Sequence, residues 1–164
     1  MRILIVTAVR EEADAVGPVA DALVIPGGIG RANAAAATTE AILRHGPFTG
    51  VLNTGIAGLL PGSGLSIGDT LVATGCCFME EGIVTPTGFS TMESMGFTLG
   101  DFPGNVVPVD PRPLARAESR FRTGVIATVA TCSGTDAAAE AVVERTGALA
   151  EAMEGAAVAQ AAGR

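Results

Sequence analysis

The feature that most constrains this chain is its opening run, Arg2-Ile3-Leu4-Ile5-Val6-Thr7. The run is apolar without alternation, which marks a strand buried on both faces rather than one with a wet side. Such strands occur in parallel sheets covered by helices. The next residues fit that setting. Ala8-Val9-Arg10-Glu11-Glu12-Ala13-Asp14-Ala15-Val16 reads as a strand end entering a helix with an acidic first turn, which suits the helix dipole. Ligands of open α/β sheets bind outside the carboxyl ends of the strands. Glu11 and Glu12 lie there. Either both complement the helix terminus, or one of them acts on a ligand.

The same alternation continues. Leu23-Val24-Ile25-Pro26 predicts a short strand. Gly27-Gly28-Ile29-Gly30-Arg31 then feeds a helix over 32–45 that is capped at Gly46. The glycine turn exposes backbone N–H groups that could cradle an anion or a ribose, although its spacing matches neither a dinucleotide fingerprint nor a P-loop. Residues 50–54 predict a strand ending in the small-residue loop Gly55-Ile56-Ala57-Gly58, where backbone can approach a ligand closely. A further strand is expected over 66–74, entered through Gly68-Asp69. Residues 78–105 read as irregular and hold four of the six phenylalanines, Phe78, Phe89, Phe97 and Phe102. They either pack the loop or wall a ligand. A short helix is expected from Pro113 to Arg122, a strand over 124–131, and a helix over 137–147 begun by Asp136. Strands alternating with helices mean a layered α/β domain, and 164 residues suffice for one domain with one core.

Composition narrows the function. Charged residues make up 16%, the net charge is −7, and no Lys/Arg run exists, which argues against nucleic acid and anionic membrane surfaces as partners. No apolar run approaches the roughly 18 residues that span a bilayer, and the N-terminus lacks a signal-peptide pattern. Cys76, Cys77 and Cys132 form no C-x-x-C, as in a reduced, cytoplasmic protein. With His45 the sole histidine, sitting at a helix end as a capping residue would, a multi-histidine metal site is impossible and acid–base chemistry falls to carboxylates. The absence of Trp and Tyr removes an aromatic stacking surface. No metal and no cofactor are expected.

The last stretch, Glu151-Ala152-Met153-Glu154-Gly155-Ala156-Ala157, lies in an alanine-rich segment expected to be helical. Glu154 is followed by small residues only, so close packing there would bury a carboxylate, which is costly unless it is hydrogen-bonded. Glu154 is either a surface glutamate or a carboxylate aimed into a pocket to accept hydroxyl hydrogen bonds.

Taken in order, Ile5-Val6-Thr7-Ala8 with Glu11-Glu12, Gly28-Ile29-Gly30, Asn53-Thr54-Gly55-Ile56-Ala57-Gly58, Ile67-Gly68-Asp69 and Met153-Glu154-Gly155-Ala156-Ala157 resemble the nucleoside phosphorylase/nucleosidase family. Glu81-Gly82-Ile83-Val84-Thr85-Pro86-Thr87-Gly88-Phe89, the Gly-Ile-Ala-Gly loop and Glu151-Ala152-Met153-Glu154 look more like futalosine hydrolases than adenine-specific nucleosidases. The resemblance implies a phosphorylase/hydrolase-like three-layer α/β fold, with a central mixed β-sheet flanked by helices. It also implies hydrolysis of the N-glycosidic bond of a purine nucleoside, with futalosine of menaquinone biosynthesis as substrate. Alternatives within that resemblance are a methylthioadenosine/S-adenosylhomocysteine nucleosidase, a purine nucleoside phosphorylase and a non-catalytic nucleoside-binding homologue. By the same resemblance Glu12 orients the attacking water and Glu154 accepts the ribose hydroxyls, with Met153 against the sugar. Gly55 and Ile56 line the site, Thr131-Cys132-Ser133 form part of the base pocket, and Phe78 and Phe89 lie near the far end of the nucleoside in a homodimer or larger assembly. Two departures stand out. The nucleosidases commonly carry Ser at the place of Ile56. The family also continues past Met-Glu to a strand, an aspartate that helps protonate the leaving base and a final helix, so a chain ending at Arg164 is expected to be incomplete.

Overall fold

A computed structural model describes residues 2–164. In chain order the elements are β1 (Ile3–Thr7), α1 (Arg10–Val16), β2 (Ala22–Pro26), α2 (Arg31–His45), β3 (Gly50–Asn53), β4 (Gly58–Leu59), β5 (Leu71–Phe78), β6 (Gly82–Thr85) and β7 (Gly88–Thr91). There follow β8 (Val106–Pro108), α3 (Pro111–Ala117), β9 (Arg122–Thr128), α4 (Asp136–Thr146), β10 (Ala150–Ala152) and α5 (Gly155–Ala162). The apolar opening run is the central strand of a parallel sheet in the order β2-β1-β3. Leu4 and Val6 are fully buried and Ile5 nearly so, as a strand covered on both faces requires. The second sheet, β4-β10-β9-β5-β8, is mixed: β10, β9 and β5 run parallel, and antiparallel strands lie at both edges. The α/β class with a mixed sheet flanked by helices is therefore the one found.

Helix α5 joins the two halves. It packs on α2 and on β3, β5, β8 and β9. Its first residues, Gly155, Ala156, Ala157 and Val158, are all buried, and only small side chains let a helix come this close to strands of both sheets. A Cβ at Gly155 would stand 3.2 Å from Cys76 Sγ on β5 and 3.7 Å from Asn53 Oδ1 on β3. The Ala156 N–H donates to Thr128 Oγ1 on β9 at 2.8 Å, which satisfies one of the helix's free N-terminal donors. Val158 then packs with Leu4, Val6, Ala34 and Ala41 beneath the first sheet. Ala156 and Ala157 pack with Cys76, Phe78 and Val107 beneath the second.

Several sequence expectations need correction. Glu151 is not helical. Ala150, Glu151 and Ala152 pair with Ile126, Ala127 and Thr128 of β9, and this parallel pairing overrides alanine's helix propensity until Gly155. The strand expected over 66–74 begins only at Leu71 and runs on through Cys76 and Cys77 to Phe78. Ser66 to Asp69 instead close a turn, the Asp69 carboxylate accepting from the Ser66 N–H at 2.8 Å. The segment 78–105 is not wholly irregular. It contains the β6–β7 hairpin, whose turn is tied by Thr85 Oγ1 donating to the Gly88 carbonyl at 2.8 Å, with Gly88 at φ 129°. The helix expected from Pro113 starts at Pro111, because the Asp110 side chain caps it by accepting from the Arg112 N–H. The strand expected over 124–131 runs from Arg122 to Thr128 instead. Among the described residues, no helix is long and apolar enough to cross a membrane.

Candidate active site

The site is assembled where β1, β2 and β3 end. Glu12 is the third residue of α1, and its side chain turns back on the chain that precedes the helix. Its Oε2 accepts from the Ala8 N–H at 2.8 Å and from the Val9 N–H at 3.3 Å. This is half of a capping box: the acid reaches the N-cap backbone, while Val9 at the cap has no polar side chain to answer it. Glu12 Oε1 accepts from the Ile56 N–H at 2.9 Å, in the loop that follows β3. Gly55 makes this possible, since a Cβ there would stand 2.6 Å from Oε1. A carboxylate offers roughly four acceptor positions. Three are used by backbone, so Glu12 is fixed in place with about one left for a ligand or water. The same geometry places the carboxylate at the start of α1, as the helix dipole favours, and leaves it room for a ligand. Its neighbour Glu11 points to solvent.

Glu154 is the N-cap of α5 and is only 8% exposed. Its Oε1 accepts from the Gly30 N–H at 2.9 Å, across 124 residues of sequence, and its Oε2 from the Met153 N–H at 3.1 Å. Of its two foreseen readings, the surface glutamate is excluded. Gly30 is the N-cap of α2 at φ 88°, a conformation that glycine adopts freely, so its N–H can face the carboxylate. The glycine turn thus cradles a protein carboxylate. It is also bound to the end of β1, with the Gly27 N–H on the Thr7 carbonyl at 2.7 Å and the Gly28 N–H on the Ala8 carbonyl at 2.9 Å. Ala8 therefore connects the two sites, its N–H held by Glu12 and its carbonyl by the turn that holds Glu154. About two acceptor positions of Glu154 remain, enough for a pair of vicinal hydroxyls.

A third carboxylate lies close by. Glu151, on β10, is 4% exposed. Its Oε1 accepts from the Ser133 N–H at 2.6 Å and its Oε2 from the Ser133 hydroxyl at 2.8 Å. It faces Gly58 of β4, where a Cβ would stand 3.2 Å from its Cγ. The neighbouring residue Ala130 is held in a similar way: its N–H donates at 2.8 Å to Glu80 Oε1, and Glu80 Oε2 pairs with Arg31 at the start of α2. The one signal for Glu151 in the sequence was its place three residues before Glu154 in the quoted motif. Nothing local pointed to Glu80.

The other foreseen residues are distributed as follows. Gly55, Ile56 and Met153 adjoin the two carboxylates through backbone contacts. Ile56 is 88% exposed. Thr131 and Cys132 are exposed between the two tethered points of their loop, and Ser133 is half-buried. Burial, together with Glu151 and Glu154 nearby, pushes the Cys132 thiol above its ordinary pKa. Phe78 is core: it is buried against Cys76, Val107 and Ala156. Phe89 is held by the protein itself, its ring under the Arg145 guanidinium at 4.2 Å and against Gly82. Glu81 pairs with Arg31, and burial still raises its pKa. Among the described residues no three His, Cys, Asp or Glu side chains gather as a metal site would need.

Chemically, the arrangement offers one rigid carboxylate with a single open acceptor position and one buried carboxylate with two. The first can orient a nucleophilic water; the second can bind a diol and set negative charge beside a developing cation.

Known proteins agree with this architecture. A futalosine hydrolase of Streptomyces coelicolor is 36% identical over 143 residues, covering 82% of this chain and 58% of that protein. One of Acidothermus cellulolyticus is 39% identical over 184 residues, covering 98% of this chain and 73% of that protein. The chain thus spans little more than half of the first relative's length. Among solved structures, a futalosine hydrolase mutant of Helicobacter pylori superposes with a TM-score of 0.76 at 25% identity, covering 98% of this chain and 82% of that one. A Streptococcus pyogenes S-adenosylhomocysteine nucleosidase superposes at 0.77 and 24% identity, covering 99% and 78%, and so shares the fold. The family model of the phosphorylase superfamily matches residues 16–164. Matched by that model over most of its length, this chain belongs to the phosphorylase superfamily.

Proposed function

We propose that the protein hydrolyses the N-glycosidic bond of a purine nucleoside, with futalosine as substrate and hypoxanthine as the released base. The observation that carries this reading is the pair Glu12 and Glu154, each anchored on backbone N–H groups at the same end of the sheet, each with acceptor capacity to spare. Cleavage of such a bond passes through an oxocarbenium-like state, as in glycoside hydrolysis. Glu154 accepts the ribose hydroxyls in charge-assisted bonds and places its charge near the developing cation. Met153 lies against the sugar. As the C–N bond breaks, the base leaves with its electron pair and takes a proton from solvent, while Glu12 holds the water through its one open position and takes its proton as the C–O bond forms. The Thr131-Cys132-Ser133 segment meets the base. The named relatives, both futalosine hydrolases, favour futalosine over other nucleosides. Ile56, standing where adenine-specific nucleosidases commonly carry Ser, favours the same choice. On this reading the protein serves menaquinone biosynthesis in the cytoplasm as a homodimer or larger assembly, which light scattering on the full-length protein checks.

The test is incubation of the full-length protein with futalosine in phosphate-free buffer, with hypoxanthine followed by chromatography. Release without phosphate is the expected result. No release beside a working futalosine hydrolase overturns the reading. Adenine release from methylthioadenosine, with none from futalosine, reassigns the substrate. Release that requires phosphate makes the protein a phosphorylase.

A further inference from the structure

Glu151 takes no part in the chemistry just described, yet it is the most buried of the three carboxylates. Burial of a charged group is unfavourable unless hydrogen bonds compensate it. Here both compensating bonds come from one residue, Ser133, through its N–H and its hydroxyl. Three residues earlier, Ala130 is fixed by Glu80, which is itself held by Arg31 on the helix whose Gly30 cap holds Glu154. The segment 130–133 is therefore tied at both ends by carboxylates, and only Thr131 and Cys132 between them are free to meet a ligand. No backbone ladder reaches this far, since β9 ends at Thr128. The side chains at 80 and 151 replace it.

We propose that Glu151 is a positioning residue, whose carboxylate fixes the Thr131-Cys132-Ser133 segment beside Glu154 and through it sets how tightly the leaving base is bound. The inference rests on the nucleosidase reading, which gives this segment the base. It separates Glu151 from Glu12 and Glu154, since loss of a binding surface shared by ground and transition states raises KM and leaves kcat.

The isosteric variant is informative here. In Glu151→Gln the amide oxygen accepts from the Ser133 N–H and the amide nitrogen donates to the Ser133 hydroxyl, so the tether survives without its charge. Glu151→Met keeps the volume and removes both bonds. With futalosine and full-length protein, Glu151→Met raises KM about tenfold with kcat within about threefold, and Glu151→Gln restores KM. A Met variant with wild-type KM overturns the proposal, as does one that loses kcat alone. If Glu151→Met does not fold, Ser133→Ala, which keeps the backbone bond and loses the hydroxyl bond, shows a smaller rise in KM; no rise overturns the proposal. Iodoacetamide labelling of Cys132 tests the tether without any substrate. Both Glu151 variants remove the same charge, but only the Met variant frees the loop, so it labels several-fold faster than Glu151→Gln. Equal labelling rates overturn the proposal. A wild-type protein inactive on futalosine and on methylthioadenosine, with unequal labelling, overturns the nucleosidase reading and leaves the tether standing.

Discussion

At the end of β1, backbone N–H groups from two segments converge on Glu12, while beyond the end of β9 a single loop converges on Glu151 and Glu80. Both sets rest on N–H groups bonded to a carboxylate, with the Ser133 hydroxyl added at Glu151, yet they work in opposite directions. Around Glu12 the strands, the helix start and Gly55 are fixed first, and they hold the carboxylate. Around Glu151 the carboxylate sits on a strand, and it holds the loop. The first arrangement suits a group that must meet a reacting atom, because backbone carried by sheet and helix moves little. The second suits a surface that selects a ligand, since a loop held by side chains can change shape without disturbing the sheet. Glu154 belongs with Glu12 in this respect, its two bonds both coming from backbone.

The largest effect that could break this contrast is expected at Glu154. Glu154→Gln should lower kcat by about 10²- to 10³-fold, because it removes charge beside the developing cation, and activity near wild type would remove the residue from the mechanism. Gly55→Ala should cost about 10²-fold in kcat while thermal unfolding stays cooperative, since the new Cβ pushes Glu12 Oε1 from a place only 2.6 Å away. An unaffected Gly55→Ala enzyme would mean that the position of Glu12 is not critical. The third prediction concerns stability and compares the two carboxylates directly. Turned either way, the amide of Glu12→Gln presents its NH2 to a backbone donor, Ala8 and Val9 on one side or Ile56 on the other. It should destabilise by about 1 kcal/mol or more in urea unfolding. Glu151→Gln should cost less, because the Ser133 hydroxyl can accept. Equal costs would erase the distinction between a held carboxylate and a holding one.

The smallest effect is in pH. Burial and the nearby Glu151 and Glu154 raise the Cys132 thiol pKa, so its reactive thiolate is scarcer at neutral pH than that of a free cysteine. Labelling of Cys132 should therefore be slow at pH 7 and keep rising above pH 9, the ordinary value of a free thiol. Cys76, buried and pushed up to about 11, should stay unlabelled under the same conditions.

The sequence is legible where a local rule and the tertiary structure agree. The run at Ile3–Thr7, the acidic start of α1 and the glycine turn before α2 each follow from their own residues. It is less legible where pairing decides. Alanines around Glu151 read as helix, but the neighbouring strand β9 draws them into the sheet. The β6–β7 hairpin was hidden by Pro86, Thr87 and Gly88, which read as loop and serve as its turn. The Ser133 side chain is bonded to Glu151. Such a partnership between residues 18 apart has no sequence periodicity to reveal it. Phe78 packs against Cys76, Val107 and Ala156, a placement that a lone phenylalanine at a strand end does not reveal.

The carboxylate fixed at the end of β1 is proposed to activate the water. This role is tested most directly by the kcat of Glu12→Gln on futalosine, measured beside wild type in full-length protein with binding of the substrate followed in parallel. Hypoxanthine release should fall by about 10²- to 10⁴-fold, with futalosine still bound near wild-type affinity. Release at the wild-type rate by a folded Glu12→Gln protein would contradict it.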